Sequence, residues 1–202
     1  MSKLLPPLPE SFRCLIVGPS NCGKTYLLKN MLLPNCEYIN CFIVGPTSYQ
    51  YKDCDCTTNV CKCNPDLVTM TSDDIFKPQE LPREEKHLFI FDDVMIEKKP
   101  LISEFFCRGR HNNCNMFYLA QNYFYIPRQT IRENCNLFIL FKQKNKSLRL
   151  IYDDLFDDDE FTFEEFREIC YQAWMTKYNY IVIDLHCDFA KLRENWDKFW
   201  FK

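Results

Sequence analysis

The segment Gly18-Pro19-Ser20-Asn21-Cys22-Gly23-Lys24-Thr25 decides the fold, because it fits the pattern G-x-x-x-x-G-K-S/T of a phosphate-binding loop. The apolar run 14–17 precedes it and predicts a short buried strand. The residues 24–32 follow it and place apolar side chains on one face of a helix. In this order the loop N–H groups and the positive end of the helix dipole converge on a phosphate. The segment therefore predicts a nucleoside triphosphate site, with Lys24 on the β- and γ-phosphates and Thr25 on Mg²⁺.

Composition narrows the class of protein. The chain has 202 residues, the usual size of one domain with a stable core, and its net charge is −3 at pH 7. That charge gives no overall basic field, so any contact with nucleic acid depends on local clusters. No apolar run approaches the roughly 18 residues of a membrane span. Prolines interrupt the start, where a signal peptide needs an apolar helix. We therefore expect a protein of the cytosol or nucleus that is neither secreted nor inserted in a membrane.

Short apolar runs alternate with amphipathic stretches, which is typical of a largely parallel sheet covered on both faces. Strands are predicted at 13–17, 38–44, 87–93, 115–121, 136–141 and 180–185, and the run 148–152 suggests one more. Helices are predicted at 24–32, at 101–107, after Pro127, and after Thr162, which forms a capping box with Glu165. We predict an extended lead 1–11, an α/β domain 12–190 with an irregular Cys-rich insertion 46–82, and an aromatic tail 191–202.

Two acids follow the third predicted strand, in Phe89-Ile90-Phe91-Asp92-Asp93. A strand that delivers acids beside a phosphate-binding loop supplies what hydrolysis of a nucleotide needs. Asp92 is then the candidate Mg²⁺ ligand, and Asp93 is the candidate general base for the attacking water. The alternative is an acidic turn without a catalytic function.

Gln121 ends the fourth predicted strand, at the edge where ligands bind in open α/β sheets. Its amide would orient the water or sense the γ-phosphate, and the alternative is a solvated strand end. Arg108 and Arg110 before this strand, and Arg132 after it, are candidates for an arginine finger supplied to a neighbouring site. Basic residues at a helix C-terminus are also ordinary partners of the helix dipole. The residues alone favour this second interpretation.

Together these motifs resemble the genome-packaging ATPases of the poxvirus type, within the FtsK–HerA superfamily of DNA-pumping motors. The resemblance is strongest to versions carried by Polinton/Maverick elements and related DNA viruses of eukaryotes. It spans 12–185 and rests on the order and spacing of its motifs. These are Leu15-Ile16-Val17 with the loop 18–25, Phe89-Ile90-Phe91-Asp92-Asp93, Gly109-Arg110-His111, Leu119-Ala120-Gln121-Asn122-Tyr123-Phe124 and Ile131-Arg132-Glu133-Asn134.

The resemblance implies a fold, an activity and partners. The fold is a P-loop NTPase of the RecA/ASCE-like type, an α/β three-layer sandwich with a largely parallel central sheet. The activity is hydrolysis of ATP with Mg²⁺, in a homo-oligomeric ring of about five or six subunits. The ring threads double-stranded DNA into a capsid at the site of virion assembly, in the host nucleus or cytoplasm. A capsid or portal protein would be a further partner.

The resemblance also implies roles for individual residues. The loop 18–25 and Asp92 bind the nucleotide, Thr25 and Asp92 bind Mg²⁺, and Asp93 is the catalytic acid. Gln121 matches the sensor glutamine of the family. Arg110 matches the place of its trans-acting arginine finger, and the secondary candidates are Arg108 and Arg132.

Four cysteines in the insertion depart from the family pattern. Cys54, Cys56, Cys61 and Cys63 form C-x-C-x₄-C-x-C, and four thiolates so close in sequence could hold zinc. The usual structural spacing is C-x₂₋₄-C, so the alternative is a set of reduced thiols in a loop. Zn²⁺ is therefore an additional candidate metal beside Mg²⁺.

Four basic residues, Lys142, Lys144, Lys146 and Arg149, lie within one short run. Phosphate contacts need only such a local strip, and they make DNA binding dependent on salt. The alternative is a solvated hairpin. The acidic stretch 153–160 lacks the glycine and terminal glutamate of a calcium loop.

Two other classes of function compete with the motor. One is a P-loop enzyme that acts alone, such as a nucleotide kinase, but its arginine-rich lid is not evident. The other is a nucleotide-dependent capsid-assembly factor that does not hydrolyse, against which the paired acids argue. A GTPase is disfavoured because Asn145-Lys146-Ser147-Leu148 lacks the acid that reads guanine. The aromatic tail 191–202 either docks on the core or anchors a partner.

Overall fold

One sheet runs through the described part of the chain. The structure is a computed structural model that describes residues 8–36, 38–46, 51, 67–71, 73–94, 100–156, 162–187, 191–196 and 198–200. The strands in these ranges are β1 Arg13–Val17, β2 Asn40–Val44, β3 Leu67–Met70, β4 His87–Asp92, β5 Cys114–Ala120, β6 Leu137–Leu140, β7 Ile181–Asp184, β8 Leu192–Glu194 and β9 Lys198–Trp200. The helices are α1 Lys24–Leu27, extended by the π-helical segment Leu28–Leu32, α2 Pro100–Arg108, α3 Asn145–Leu155 and α4 Phe163–Ala173.

The strand order puts β1 and its following loop near the centre of the sheet. The order is β3-β2-β4-β5-β1-β6-β7-β8-β9, and β1 lies between β5 and β6. The six strands from β3 to β6 are parallel, whereas β7, β8 and β9 are antiparallel to their neighbours. Parallel strands end at one edge of a sheet, where ligands bind in open α/β folds. We call the edge where β1, β4 and β5 end the carboxyl edge, and the edge where they begin the amino edge.

Side chains on the two faces of the sheet form two buried clusters. On one face Leu15 and Phe89 pack in a cluster with residues of α2, α3 and α4. On the other face Cys14 and Ile16 belong to a cluster with α1 and its π-helical extension. Successive residues of β1 thus serve opposite faces, as the period of a strand requires. Helices cover both faces, which confirms the predicted three-layer sandwich with a largely parallel sheet.

The structure differs from the sequence-based prediction in several segments. The short helix predicted after Pro127 is a single 3-10 turn, Arg132–Asn134. The run 148–152 was predicted as a strand and lies in α3, because a short apolar run does not by itself distinguish strand from helix. Leu148, Ile151 and Tyr152 are buried at helical spacing on one face of α3. The insertion 46–82 was predicted to be irregular, but it contains β3, which pairs in parallel with β2.

The aromatic tail contributes strands to the sheet. β8 pairs with β7, and β9 pairs with β8, both antiparallel. Trp196 is buried in the same cluster as Ile16. This part of the tail therefore docks on the core, while the boundaries of the lead and the tail at 11 and 190 stay predictions. In the described ranges no helix has the length and apolar character that a membrane crossing requires.

Candidate functional site

The phosphate-binding loop connects β1 to α1 at the carboxyl edge. The Gly18 N–H donates to the Ala120 carbonyl at 3.1 Å, which fixes the loop against the end of β5. A Cβ on Gly18 would lie 2.6 Å from the Cβ of Phe141, so only glycine fits there. Gly23 has φ of 106°, a left-handed conformation that glycine adopts without strain. The two glycines therefore let the backbone turn closely enough for its N–H groups to surround a phosphate.

The Lys24 ammonium group folds back over its own loop. It donates to the carbonyl oxygens of Gly18 at 2.7 Å and Pro19 at 3.0 Å. A cation held above the loop in this way is placed for the β- and γ-phosphates of a nucleotide. The role of Lys24 in binding a nucleotide stays a prediction.

Asp92 ends β4 and is joined to the loop by a tyrosine. The Tyr51 hydroxyl donates to Oδ2 of Asp92 at 2.8 Å and also hydrogen-bonds the Thr25 side chain. Burial, and next the charge of Asp92, raise the pKa of Tyr51, so its hydroxyl stays protonated. The contact with Thr25 lowers that pKa, as expected when the threonine hydroxyl donates to the phenol oxygen. Thr25 and Asp92 thus present hard oxygen ligands close together, a donor set that fits Mg²⁺.

Sequence reasoning missed Tyr51. It lies inside the insertion 46–82, in a polar stretch where no motif or periodicity distinguishes one residue from the next. Its burial could not be inferred there, since the tyrosine is 1% exposed through packing against side chains such as Leu28 and Ile90 that are distant in sequence. The position of Tyr51 depends on tertiary contacts, which local sequence does not indicate.

A second hydrogen-bonded group links the loop to Asp93. The Gln121 side-chain amide donates to Oδ1 of Asp93 at 3.2 Å, and the Ser20 hydroxyl donates to Oε1 of Gln121 at 3.3 Å. Asp93 has φ of 56°, so the chain turns sharply after β4 and leaves the carboxylate exposed. The structure therefore brings the loop, Asp93 and Gln121 together, as the strand order requires. Their catalytic roles stay predictions.

An open cleft lies beside this hydrogen-bonded group. Its volume is about 810 Å³, within the range of roughly 300–1,000 Å³ that small-molecule sites occupy. The polar and aromatic residues that line it are Ser20, Asp93, Tyr118, Gln121, Asn122, Tyr125 and Lys144. A ligand in the cleft would contact the candidate general base and the sensor glutamine at the same time.

The structure places Arg108 and Arg110 at the opposite edge. Both are exposed, at the end of α2 and in the turn Gly109–Asn112 that leads into β5. β5 has seven residues, so roughly 20 Å of strand separates Arg110 from Gln121. Arg110 also lies near Arg13, the first residue of β1, whose pKa is lowered by burial and, to a smaller extent, by the charge of Arg110. Neither arginine reaches the loop of its own subunit.

Arg132 is held inside its own subunit. Its guanidinium pairs with Asp154 at 2.5 Å and lies 4.9 Å from the ring centre of Tyr123. The Tyr123 hydroxyl donates to the same Asp154 carboxylate at 3.0 Å. The Arg132 side chain is 10% exposed. These contacts hold the guanidinium within its own subunit, and its role as an arginine finger stays a prediction.

The basic strip lies where β6 leads into α3. Lys142, Lys144, Lys146 and Arg149 are all exposed, but Arg149 pairs with Asp153 at 2.9 Å. The alternative of a solvated hairpin is wrong, because α3 begins at Asn145. Lys144 lines the cleft, so the strip adjoins the candidate site.

Two exposed aromatic residues continue the basic strip. The Lys146 ammonium group lies 5.2 Å from the ring centre of Phe124, which packs edge-on against Tyr125 with ring centres 5.7 Å apart. Phe124 is 52% and Tyr125 is 72% exposed. We call Phe124, Tyr125, Lys142, Lys144 and Lys146 the basic–aromatic surface.

The candidate zinc ligands Cys54, Cys56, Cys61 and Cys63 lie outside the described residues. Within the described ranges, no group of three or more His, Cys, Asp or Glu side chains could hold a metal ion. The cysteines in the strands behave as small hydrophobic residues, and burial raises the pKa of Cys114 to about 12.

Comparisons with known proteins identify the family of the chain. The family model described as the poxvirus A32 protein matches residues 6–154. A search of curated protein sequences gives no match.

Solved structures of viral packaging NTPases have the same fold. The genome packaging NTPase B204 from Sulfolobus turreted icosahedral virus 2, in complex with ATP-gammaS, is 16% identical with a TM-score of 0.64, and the alignment covers 93% of this chain and 98% of that one. Its complex with AMPPCP is 15% identical with a TM-score of 0.63 and the same coverage. B204 from Sulfolobus turreted icosahedral virus, described as the DNA-packaging ATPase, is 14% identical with a TM-score of 0.61, again with that coverage. At these identities the likeness establishes the fold.

Proposed function

The chain belongs to the family of the poxvirus A32 protein, and we propose that it is an ATP-hydrolysing motor that moves double-stranded DNA into a viral capsid. One observation carries the hydrolytic part of this proposal. The phosphate-binding loop is joined to Asp93 through Ser20 and Gln121, within 3.3 Å at each contact. The loop that binds phosphate and the acid that activates water thus lie side by side, as an NTPase requires.

Different residues of the site have different roles in hydrolysis. The loop N–H groups and the Lys24 ammonium hold the triphosphate. Thr25 and Asp92 would hold Mg²⁺, which neutralises charge that develops on the phosphate oxygens. Gln121 orients the attacking water, and Asp93 accepts its proton as general base.

The arginine finger comes from a neighbouring subunit in this proposal. Arg110 is exposed at the amino edge, roughly 20 Å of strand away from Gln121. A ring of about five or six subunits would bring the amino edge of one subunit to the carboxyl edge of the next. In such a ring Arg110 stabilises the transferring phosphate in the neighbour's site.

The basic–aromatic surface is the proposed contact with DNA. Its three lysines supply the positive charge that phosphates attract, although the chain as a whole has a net charge of −3. Because Lys144 and Tyr125 also line the cleft, DNA held here would lie next to the hydrolytic site. This position would let binding of DNA influence turnover.

The family also suggests where the motor works and with what. A packaging ATPase acts at the site of virion assembly, and we propose that this site is in the host nucleus or cytoplasm, with a capsid or portal protein as a further partner. Zn²⁺ on Cys54, Cys56, Cys61 and Cys63 remains part of the proposal. Metal analysis of protein purified under reducing conditions should then give about one zinc per chain, and finding none would remove zinc from the account.

The test is ATPase activity with and without double-stranded DNA. A motor should hydrolyse ATP faster when DNA is present, and Lys24→Ala should abolish turnover in both conditions. Addition of nucleoside monophosphates separates the alternatives, because a nucleotide kinase would transfer the phosphate to them. Turnover that DNA leaves unchanged, by a protein that remains monomeric with ATP, would contradict the motor.

A further inference from the structure

Tyr51 joins the two side chains that are assigned to Mg²⁺. Its hydroxyl donates to Oδ2 of Asp92 at 2.8 Å and hydrogen-bonds the Thr25 side chain. We propose that Tyr51 is a positioning residue for the metal, which holds the Thr25 hydroxyl and the Asp92 carboxylate in the orientation that binds Mg²⁺. This inference rests on the proposed function, because it concerns the metal of the same site.

The donors and acceptors of Thr25 and Asp92 explain how Tyr51 would orient these two side chains. A threonine hydroxyl has one proton and two lone pairs, and a carboxylate has acceptor sites on both oxygens. When the Thr25 proton points to Tyr51, the Thr25 lone pairs are directed elsewhere and are open to a cation. The Tyr51 proton occupies one side of Oδ2 of Asp92, which limits rotation of the carboxylate.

Packing makes the tyrosine a rigid support. Tyr51 is 1% exposed and belongs to the same apolar cluster as Leu28, Leu88 and Ile90. The Lys29 ammonium group lies 6.0 Å from its ring centre. Because packing fixes the ring, the hydroxyl lies at a defined position. Hydrogen-bond partners held in this way orient metal ligands and so raise metal affinity.

The chain position of Tyr51 gives the inference a wider consequence. Thr25 and Asp92 belong to the two motifs that the sequence identifies, whereas Tyr51 belongs to the insertion 46–82. The insertion would then supply part of the metal site, in addition to β3 at the edge of the sheet.

A competing interpretation predicts the opposite result. If the Tyr51 hydroxyl stood in the place of the metal, its removal would free Thr25 and Asp92 and would strengthen metal binding. If it only stabilised the fold, its removal would lower the melting temperature and leave metal binding unchanged. Support of the ligands, in contrast, predicts weaker metal binding at an unchanged fold.

The experiment compares Tyr51→Phe with the wild type by titration of Mn²⁺, followed by electron paramagnetic resonance, in the presence of AMPPCP. Loss of a group that supports metal ligands typically weakens metal affinity 10–100-fold, and we expect about tenfold here. Affinity for AMPPCP in EDTA should stay the same. In steady state the Mg²⁺ concentration for half-maximal ATPase activity should rise by about the same factor, and kcat should recover at high Mg²⁺.

Tyr123→Phe is the matched control. Tyr123 is also buried, and its hydroxyl also donates to a carboxylate, that of Asp154 at 3.0 Å, away from the metal ligands. It should lose stability but keep the wild-type affinity for Mn²⁺. Equal or tighter binding of Mn²⁺ by Tyr51→Phe would overturn the inference. Failure of the proposed function would look different, since the wild type itself would then show no AMPPCP-dependent binding of Mn²⁺.

Discussion

The two edges of the sheet use polar side chains for different purposes. At the amino edge, Asn136 accepts a hydrogen bond from the Arg13 N–H at 2.7 Å and is 2% exposed. At the carboxyl edge, Gln121 contacts Asp93 and Ser20 at 3.2 and 3.3 Å, and all three are exposed. The first contact fixes one strand segment against another. The second joins side chains that a ligand can still reach.

This difference separates stability from chemistry. The buried amide of Asn136 clamps the backbone, and loss of such a group leaves donors and acceptors without partners. The exposed group around Gln121 stabilises the chain little but is arranged for a substrate. Arg110 is the exception, since it is exposed at the amino edge, where the same subunit has no nucleotide site. Arg110 can act in catalysis only if the carboxyl edge of a neighbouring subunit lies next to it.

Arg110→Ala should have the largest effect on this comparison. Loss of an arginine finger lowers turnover by roughly 10³–10⁵-fold, because charge on the transferring phosphate is no longer neutralised. Binding of ATP should remain as in the wild type, as measured with a fluorescent nucleotide. Arg83→Ala changes an exposed arginine in the turn before β4, at the same edge, and should retain turnover. Weakened ATP binding by Arg110→Ala would show that Arg110 acts within its own subunit.

Asp93→Asn tests the carboxyl edge. The amide keeps the shape of the side chain but cannot accept the proton of water, so turnover should fall by roughly 10²–10⁴-fold. ATP affinity should not change, and single-turnover hydrolysis should report the loss directly. Glu164→Gln alters an exposed carboxylate on α4 and should be silent. Unchanged turnover in Asp93→Asn would remove Asp93 from the mechanism.

Asn136→Ala tests the amino edge. Because it leaves the part-buried Arg13 N–H and Ser11 carbonyl without the Asn136 side chain, the free energy of unfolding should fall by about 1 kcal/mol. Urea denaturation measures this change, and nucleotide affinity of the folded protein should be retained. Asn30→Ala removes an exposed side chain on the π-helical segment and should change stability by less than about 0.5 kcal/mol. A loss of nucleotide affinity in the folded Asn136→Ala protein would contradict the separation of the two edges.

Substitutions in the basic–aromatic surface should have the smallest effect per residue, and this effect is on DNA binding. Replacing Lys142, Lys144 and Lys146 by alanine should lower the slope of log K against log salt for DNA binding by up to about three units, one for each phosphate contact. Lys77→Ala changes an exposed lysine elsewhere and should leave the slope unchanged. An unaltered slope in the triple variant would place DNA on a different surface.

The sequence predicted the fold, and it indicated which residues lie together at the carboxyl edge, for a physical reason. Gly18, Lys24 and Asp92 follow from local patterns, because a phosphate loop and an acid after a buried strand need specific residues at fixed positions. That these residues lie near one another then follows from the rule that parallel strands end at one edge. These features depend on neighbours in sequence, so a single chain reveals them.

The remainder depended on contacts between distant segments. The support of Asp92 by Tyr51 links residues 41 positions apart, and nothing local indicates it. The strand predicted at 148–152 was wrong because its apolar run fits both periods, and burial on one face of α3 decides for the helix. Arg132 resembles the family in sequence, yet its pairing with Asp154 is visible only in the fold.

The most direct test of the account mixes two inactive proteins. Arg110→Ala has an intact carboxyl edge and lacks the finger, whereas Asp93→Asn has the finger and lacks the general base. In mixed oligomers, whose formation is checked by mass in solution with AMPPCP and DNA, an Arg110→Ala site beside an Asp93→Asn subunit receives a complete set of residues. We expect the mixture to regain DNA-stimulated ATPase activity that neither protein has alone. Mixed oligomers without activity would contradict a site completed by the neighbouring subunit.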